Sequence, residues 1–82
     1  MKITLYGKRG HALTVAFKNF LRTSDVDFEY IDISKDEKAK QHTRDLYDGA
    51  LKFPTLFVDD EVYLTPTSDE FNNIMKDLKL RG

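Results

Sequence analysis

Lys52-Phe53-Pro54-Thr55-Leu56-Phe57-Val58-Asp59 is the stretch from which the fold of this chain can be read. After Pro54 the run Thr55-Leu56-Phe57-Val58 is rich in β-branched and aromatic residues and predicts a strand. Glu61-Val62-Tyr63-Leu64 predicts another, and the acidic pair Asp59-Asp60 suits a tight turn between them. Thr55–Leu64 therefore reads as an antiparallel hairpin. Upstream, Ile3 and Leu5 belong to a β-prone run closed by Gly7 and Gly10, which predicts a strand over Lys2–Tyr6. From Ala12 to Leu21, Leu13, Ala16, Phe17, Phe20 and Leu21 recur at three- and four-residue steps, the period of a helix burying one face. Asp27-Phe28-Glu29-Tyr30-Ile31-Asp32 alternates polar and apolar residues and predicts a further strand. Ser34 with Glu37 forms a capping box opening a helix to about Asp48, with Gly49 as its stop. Thr67 with Glu70 opens a last helix carrying Phe71, Ile74, Met75 and Leu78 on one face. Lys76, Lys79 and Arg81 follow near its end, where cations suit the helix dipole.

The chain has 82 residues, enough for one domain with a modest core. Hydrophobic residues make up 40% and charged residues 33%, a balance that argues against disorder. There is no cysteine, which excludes a disulfide framework, thiolate metal sites and cysteine-ligated iron–sulfur clusters. The 13 basic and 14 acidic residues leave a formal net charge of −1, without a basic stripe for nucleic acid. No apolar run approaches the ~20 residues of a membrane span, and Met1-Lys2-Ile3-Thr4-Leu5-Tyr6 reads as the start of a strand rather than a signal core. A soluble, cytoplasmic protein is the expectation.

The element order β-α-β-α-β-β-α predicts a right-handed βαβ unit followed by the hairpin, giving a four-stranded mixed sheet with three helices on its two faces. This is the thioredoxin fold. The whole chain, 1–82, resembles the glutaredoxin family and its short branch that partners ribonucleotide reductase. The resemblance rests on Ile3-Thr4-Leu5-Tyr6-Gly7-Lys8, on Tyr30-Ile31-Asp32-Ile33-Ser34 and on Phe53-Pro54-Thr55-Leu56-Phe57-Val58-Asp59, in that order and spacing. It implies a cis peptide before Pro54 facing the first helix, and a Phe53 backbone that pairs like a strand with the cysteinyl part of glutathione. It also implies that Lys8 contacts the glycyl carboxylate, and that Ser68 and Asp69 hold the γ-glutamyl end.

Against that resemblance, His11-Ala12-Leu13-Thr14 stands where the family carries Cys-x-x-Cys, with His11 and Thr14 at the cysteine positions. All four residues differ from the common Cys-Pro-Tyr-Cys, which reads as natural divergence. The thiolate is the nucleophile of disulfide exchange, so that reaction has no agent here. Pro66-Thr67 replaces the glycine pair that usually precedes the last helix, and substituted residues there would narrow or reshape the cleft. The chain also resembles, more loosely, the N-terminal domain of glutathione transferases. Tyr6 would then donate a hydrogen bond to a glutathione thiolate, and Ser68 would bind the γ-glutamyl carboxylate.

The candidate ligand-binding residues are Lys8, Arg9, His11, Phe53, Pro54, Ser68 and Asp69. His11 opens a helix whose free N–H groups disfavour a positive imidazole, so it is read as a neutral hydrogen-bond partner or as a polar surface residue. Lys8 and Arg9 suit an anionic ligand, or are solvated surface charge. Ser68 and Asp69 start a helix, and Phe53 either marks an interaction surface or packs on Tyr6 or Leu13. No metal site is expected, since nothing in the sequence pairs His42 with His11. The expected function is a non-catalytic binding module for a peptide segment of a partner protein or a glutathione-like ligand. The alternative is a glutathione-dependent transferase or reductase in which the ligand supplies the thiol. No cofactor is required; glutathione is the one the resemblance implies, together with a place in cell redox homeostasis by descent.

Overall fold

The computed structural model describes residues 2–81. Its elements are β1 (Ile3–Gly7), α1 (Ala12–Thr23), β2 (Glu29–Asp32), α2 (Glu37–Leu46), β3 (Thr55–Val58), β4 (Glu61–Leu64) and α3 (Ser68–Arg81). The strands form one sheet in the order β2-β1-β3-β4. β1 runs parallel to β2, with Leu5 opposite Tyr30, and antiparallel to β3, with Leu5 opposite Leu56. β3 and β4 form the expected hairpin, and Asp59 in its turn adopts φ +51, a left-handed value that aspartate tolerates. The thioredoxin fold follows from this order and topology. No helix among the described residues is long and apolar enough to cross a membrane.

Side chains alternate across the sheet and so divide it into two faces. Ile3, Leu5, Leu56 and Val58 turn to one face and form the core with Phe17 and Leu21 of α1 and Phe71 of α3. Phe17 and Phe71 stack with ring centroids 3.9 Å apart, and Phe20 meets Phe71 edge-on at 5.6 Å. Tyr6 and Phe57 turn to the other face, where His42 of α2 packs on both.

Helix α1 buries Thr14, Phe17 and Leu21, whereas Leu13, Ala16 and Phe20 of the expected face are exposed. The buried stripe is centred one position later than an apolar count suggests, because Thr14 belongs to it. Helix α2 is capped by Asp36, whose carboxylate accepts from Ala39 N–H at 2.9 Å, and not by Ser34. The Ser34 hydroxyl instead donates to Asp32 Oδ1 at 2.6 Å. This helix ends at Leu46, earlier than expected, because Asp48 as well as Gly49 adopts a left-handed conformation. Thr67 caps α3 as expected, its hydroxyl accepting from Glu70 N–H at 3.2 Å. The side chains of Met75, Leu78, Lys79 and Arg81 lie outside the described ones.

Asp32, at the end of β2, holds the loop that follows. Its Oδ1 also accepts from Ser34 N–H at 2.9 Å, while Ile33 N–H donates to Gly7 C=O across the strand ends. The Ser34 hydroxyl is the main cause that lowers the Asp32 carboxyl below the ordinary aspartate value; partial burial opposes it, and the Ser34 and Arg9 backbone amides and Lys35 add to the lowering. A folded-state value below the unfolded one means stabilisation present above the usual aspartate range and lost as pH falls through the lowered value. Asp32→Asn is expected to lower Tm at neutral pH, and the gap from the parent protein should close as pH is taken down through the acidic range. Thermal denaturation at a series of pH values measures it; a gap independent of pH would remove Asp32 from this role.

Candidate functional site

Strand β1 ends at Gly7 and α1 begins at Ala12, so the loop Lys8-Arg9-Gly10-His11 must reverse the chain within four residues. Gly10 makes this feasible with φ +83, a value that costs a glycine nothing, and His11 N–H closes the turn on Lys8 C=O at 3.1 Å. His11 occupies the N-cap position in extended conformation, but its side chain does not cap the helix. The ring turns to Thr14 instead, with Nδ1 3.3 Å from the Thr14 hydroxyl, and stands edge-on to the Phe53 ring at 4.7 Å.

Thr14 is the centre of this arrangement. It is 1% exposed, accepts a long hydrogen bond from Lys8 N–H at 3.4 Å, and partners His11 through the same hydroxyl. Because the Lys8 amide can only donate, the Thr14 proton is free for His11 Nδ1. Gly7 lies directly against it: a Cβ on Gly7 would stand 2.8 Å from Thr14 Oγ1, 3.1 Å from its Cβ and closer still to its methyl. The two positions that sequence reading matched to cysteines are thus one half-buried His and one buried Thr joined to each other. Thr14 does not line the cleft. The sequence offered the i, i+3 spacing of this pair, but an apolar count passes over a threonine.

The second wall is built by the hairpin lead-in. The Phe53–Pro54 peptide is cis, Pro54 is fully buried and Phe53 half-buried. The β1–β3 ladder begins only at Thr55 opposite Tyr6, and among the described residues the backbone of Phe53 has no hydrogen-bond partner. The Tyr47 hydroxyl is bonded to Thr55 Oγ1 at 2.6 Å and accepts from Thr65 N–H at 3.0 Å. Tyr47 therefore ties the cis-proline strand to the segment entering α3, where Thr65 is held at φ +40, an unusual value for a β-branched residue. Sequence reading missed Tyr47, since a tyrosine after a helix announces no partner.

Between the walls lies a cavity of about 290 Å³ lined by Lys8, Arg9, Gly10, His11 and Phe53. Two cations and the N-terminus of α1, which has no acidic residue in its first turn, make it a place for negative charge. Lys8, Arg9, His11 and Phe53 are brought together around it, with Pro54 adjacent in the chain. Ser68 and Asp69 are exposed in the first turn of α3 and are not among the residues lining the cavity. Tyr6 is also not among them: its hydroxyl is 3.0 Å from His42 Nδ1 on the α2 face. Burial, and then the charges of Asp36 and Glu29, raise its phenol above the ordinary tyrosine value, which disfavours an ionised Tyr6. No group of three or more His, Asp or Glu residues placed to hold a metal occurs among the described residues.

A family model described as glutaredoxin matches residues 3–63. Solved structures similar to this one include the thioredoxin-like protein BC3987, with 26% identity and a TM-score of 0.73 over 88% of this chain and 97% of that one. NrdH-redoxin from Escherichia coli follows at 23% identity and a TM-score of 0.72, covering 90% of this chain and 95% of that one. Glutaredoxin from Archaeoglobus fulgidus has 22% identity and a TM-score of 0.69, covering 90% and 85%. No protein of curated function matches the chain in sequence.

The packing of Gly7 on Thr14 is testable. Gly7→Ala should destabilise the protein by about 1–3 kcal/mol through overpacking. Thr14→Ser, which removes the methyl and keeps the hydroxyl, should recover part of that loss in a double-mutant cycle followed by urea denaturation. Additive losses would mean that Thr14 does not set the approach.

Proposed function

The chain belongs to the glutaredoxin family, and from that premise we propose that it works as a non-catalytic binding module at the cis-proline cleft. With no cysteine in the chain, it has no thiolate of its own for disulfide exchange. Its ligand is an extended peptide segment of a partner protein or a glutathione-like molecule. The observation that carries this reading is the cavity between the α1 N-terminus and Phe53, rimmed by Lys8 and Arg9 and facing an unpaired stretch of backbone. An extended ligand pairs with the free Phe53 N–H and C=O as an added strand, and its carboxylate lies at Lys8 and Arg9. Ser68 and Asp69 take the far end of such a ligand, beyond the segment that Tyr47 anchors. His11, locked to Thr14, serves as a fixed hydrogen-bonding edge of the cleft. An enzymatic form of this reading, in which bound glutathione supplies the sulfur, would have to use His11, because the Tyr6 hydroxyl is engaged with His42.

An amide-resolved NMR titration of the 15N-labelled protein with reduced glutathione tests the proposal. Shifts should concentrate at Lys8, Arg9, His11 and Phe53, extend to Ser68, and weaken about tenfold in apparent affinity in Lys8→Glu, the effect of losing one charged contact. A spectrum unchanged by glutathione and by an extended acidic peptide would sink it.

A further inference from the structure

The charges of this chain are unevenly placed. From Phe53 to Ile74 the sequence holds Asp59, Asp60, Glu61, Asp69 and Glu70 and no lysine, arginine or histidine, while all 13 basic residues lie outside that segment. In the fold this segment is the lead-in to β3, the β3–β4 hairpin and the start of α3, so every charged side chain the hairpin itself carries is acidic, whereas the cleft is lined by Lys8 and Arg9. In this hairpin β4 is the edge of the described sheet, with β3 as its single neighbour. Two of its side chains face the same way as Phe57 and Thr55, their cross-strand partners, and are unusually open for apolar residues: Val62 is 44% and Leu64 47% exposed. With half-buried Phe57 beside Val62, they form an apolar strip along the strand. The turn that leads into it carries Asp60, and Glu61 opens the strand; both are exposed, and the Glu61 carboxylate accepts from the Tyr63 hydroxyl. Among the described residues neither is in an ion pair, the one such pair being Lys40 with Glu37.

We infer that the β4 edge docks a basic, extended segment of another protein, which adds to the sheet as a fifth strand. The outer side of an edge strand offers backbone donors and acceptors, and strand addition draws affinity from them and specificity from alternate side chains. On β4 the alternate side chains are Val62 and Leu64, which call for apolar residues every second position in the partner. The carboxylates of Asp60 and Glu61 call for lysine or arginine between or beside them. The charge also decides the place of docking: a basic segment is attracted here and repelled from the cleft rimmed by Lys8 and Arg9. This surface is separate from the cleft, and its occupant differs in sign from the one proposed there.

The probe is a capped peptide of alternating lysine and valine, titrated into the 15N-labelled protein at low salt. Shifts are expected along Glu61–Thr65, and the apparent Kd should rise with ionic strength. The double variant Asp60→Lys and Glu61→Lys, both at exposed positions, should weaken binding about tenfold or more. A peptide of the same charge with alternate backbone nitrogens methylated should lose the shifts, because it cannot extend the sheet. Shifts absent at β4, equal for the methylated peptide, or concentrated at Lys8–His11 would each overturn the inference. An acidic peptide in parallel reports on the cleft, so failure at one surface is distinguishable from failure at the other.

Discussion

Everything at the candidate site depends on how closely α1 approaches the end of the central strand. Gly7 has no side chain, and Thr14 fills the space where one would be. That contact brings the first turn of α1 onto β1, and the Thr14 hydroxyl then reaches both the Lys8 amide and His11. The loop between them has little freedom left. Its other side is held by Asp32 and by the bond from Ile33 to Gly7. A buried hydroxyl without partners would cost about 1–3 kcal/mol, so the two bonds to Thr14 are what allow a polar residue at that depth.

The cleft is therefore built from two tied elements. One is the loop locked through Thr14 and Asp32. The other is the Phe53–Pro54 segment, joined through Thr55 and Tyr47 to Thr65 and the start of α3. Neither requires a thiol. A fold of this kind can lose its redox residues and keep the geometry around them, because the shape of the cleft comes from backbone turns and buried hydroxyls. Electrostatics then separates the surfaces: cations at the cleft, carboxylates along the hairpin edge.

Much of this was legible in the sequence, for identifiable reasons. The hairpin could be read from Pro54 and from the β-rich runs on either side of Asp59-Asp60. The order of elements followed from alternation and helical spacing. Less legible was which residues face inward on α1, because Thr14 is polar and lies in the buried stripe while Leu13 and Phe20 do not. The cap of α2 was misplaced from Asp36 to Ser34 because both can cap, and the competing bond from Ser34 to Asp32 is visible only in three dimensions. Lys8, Arg9, His11 and Phe53 could be named together only through family resemblance, since Phe53 is far from the others in sequence. Tyr6 sits beside the loop in sequence yet faces the opposite side of the sheet, a consequence of strand alternation. Tyr47 gave no local signal, as its partners lie eight and 18 residues away.

The account holds that the family's scaffold persists here and that the cleft keeps its working shape, although the motif around it has diverged and its sulfur is gone. Restoring it in the double variant His11→Cys, Thr14→Cys, and following reduction of hydroxyethyl disulfide by glutathione, tests this most directly. The account predicts a folded variant with turnover well above a parent protein that stays at background. A folded variant that remains at background would contradict it, and would mean that the cleft itself has changed.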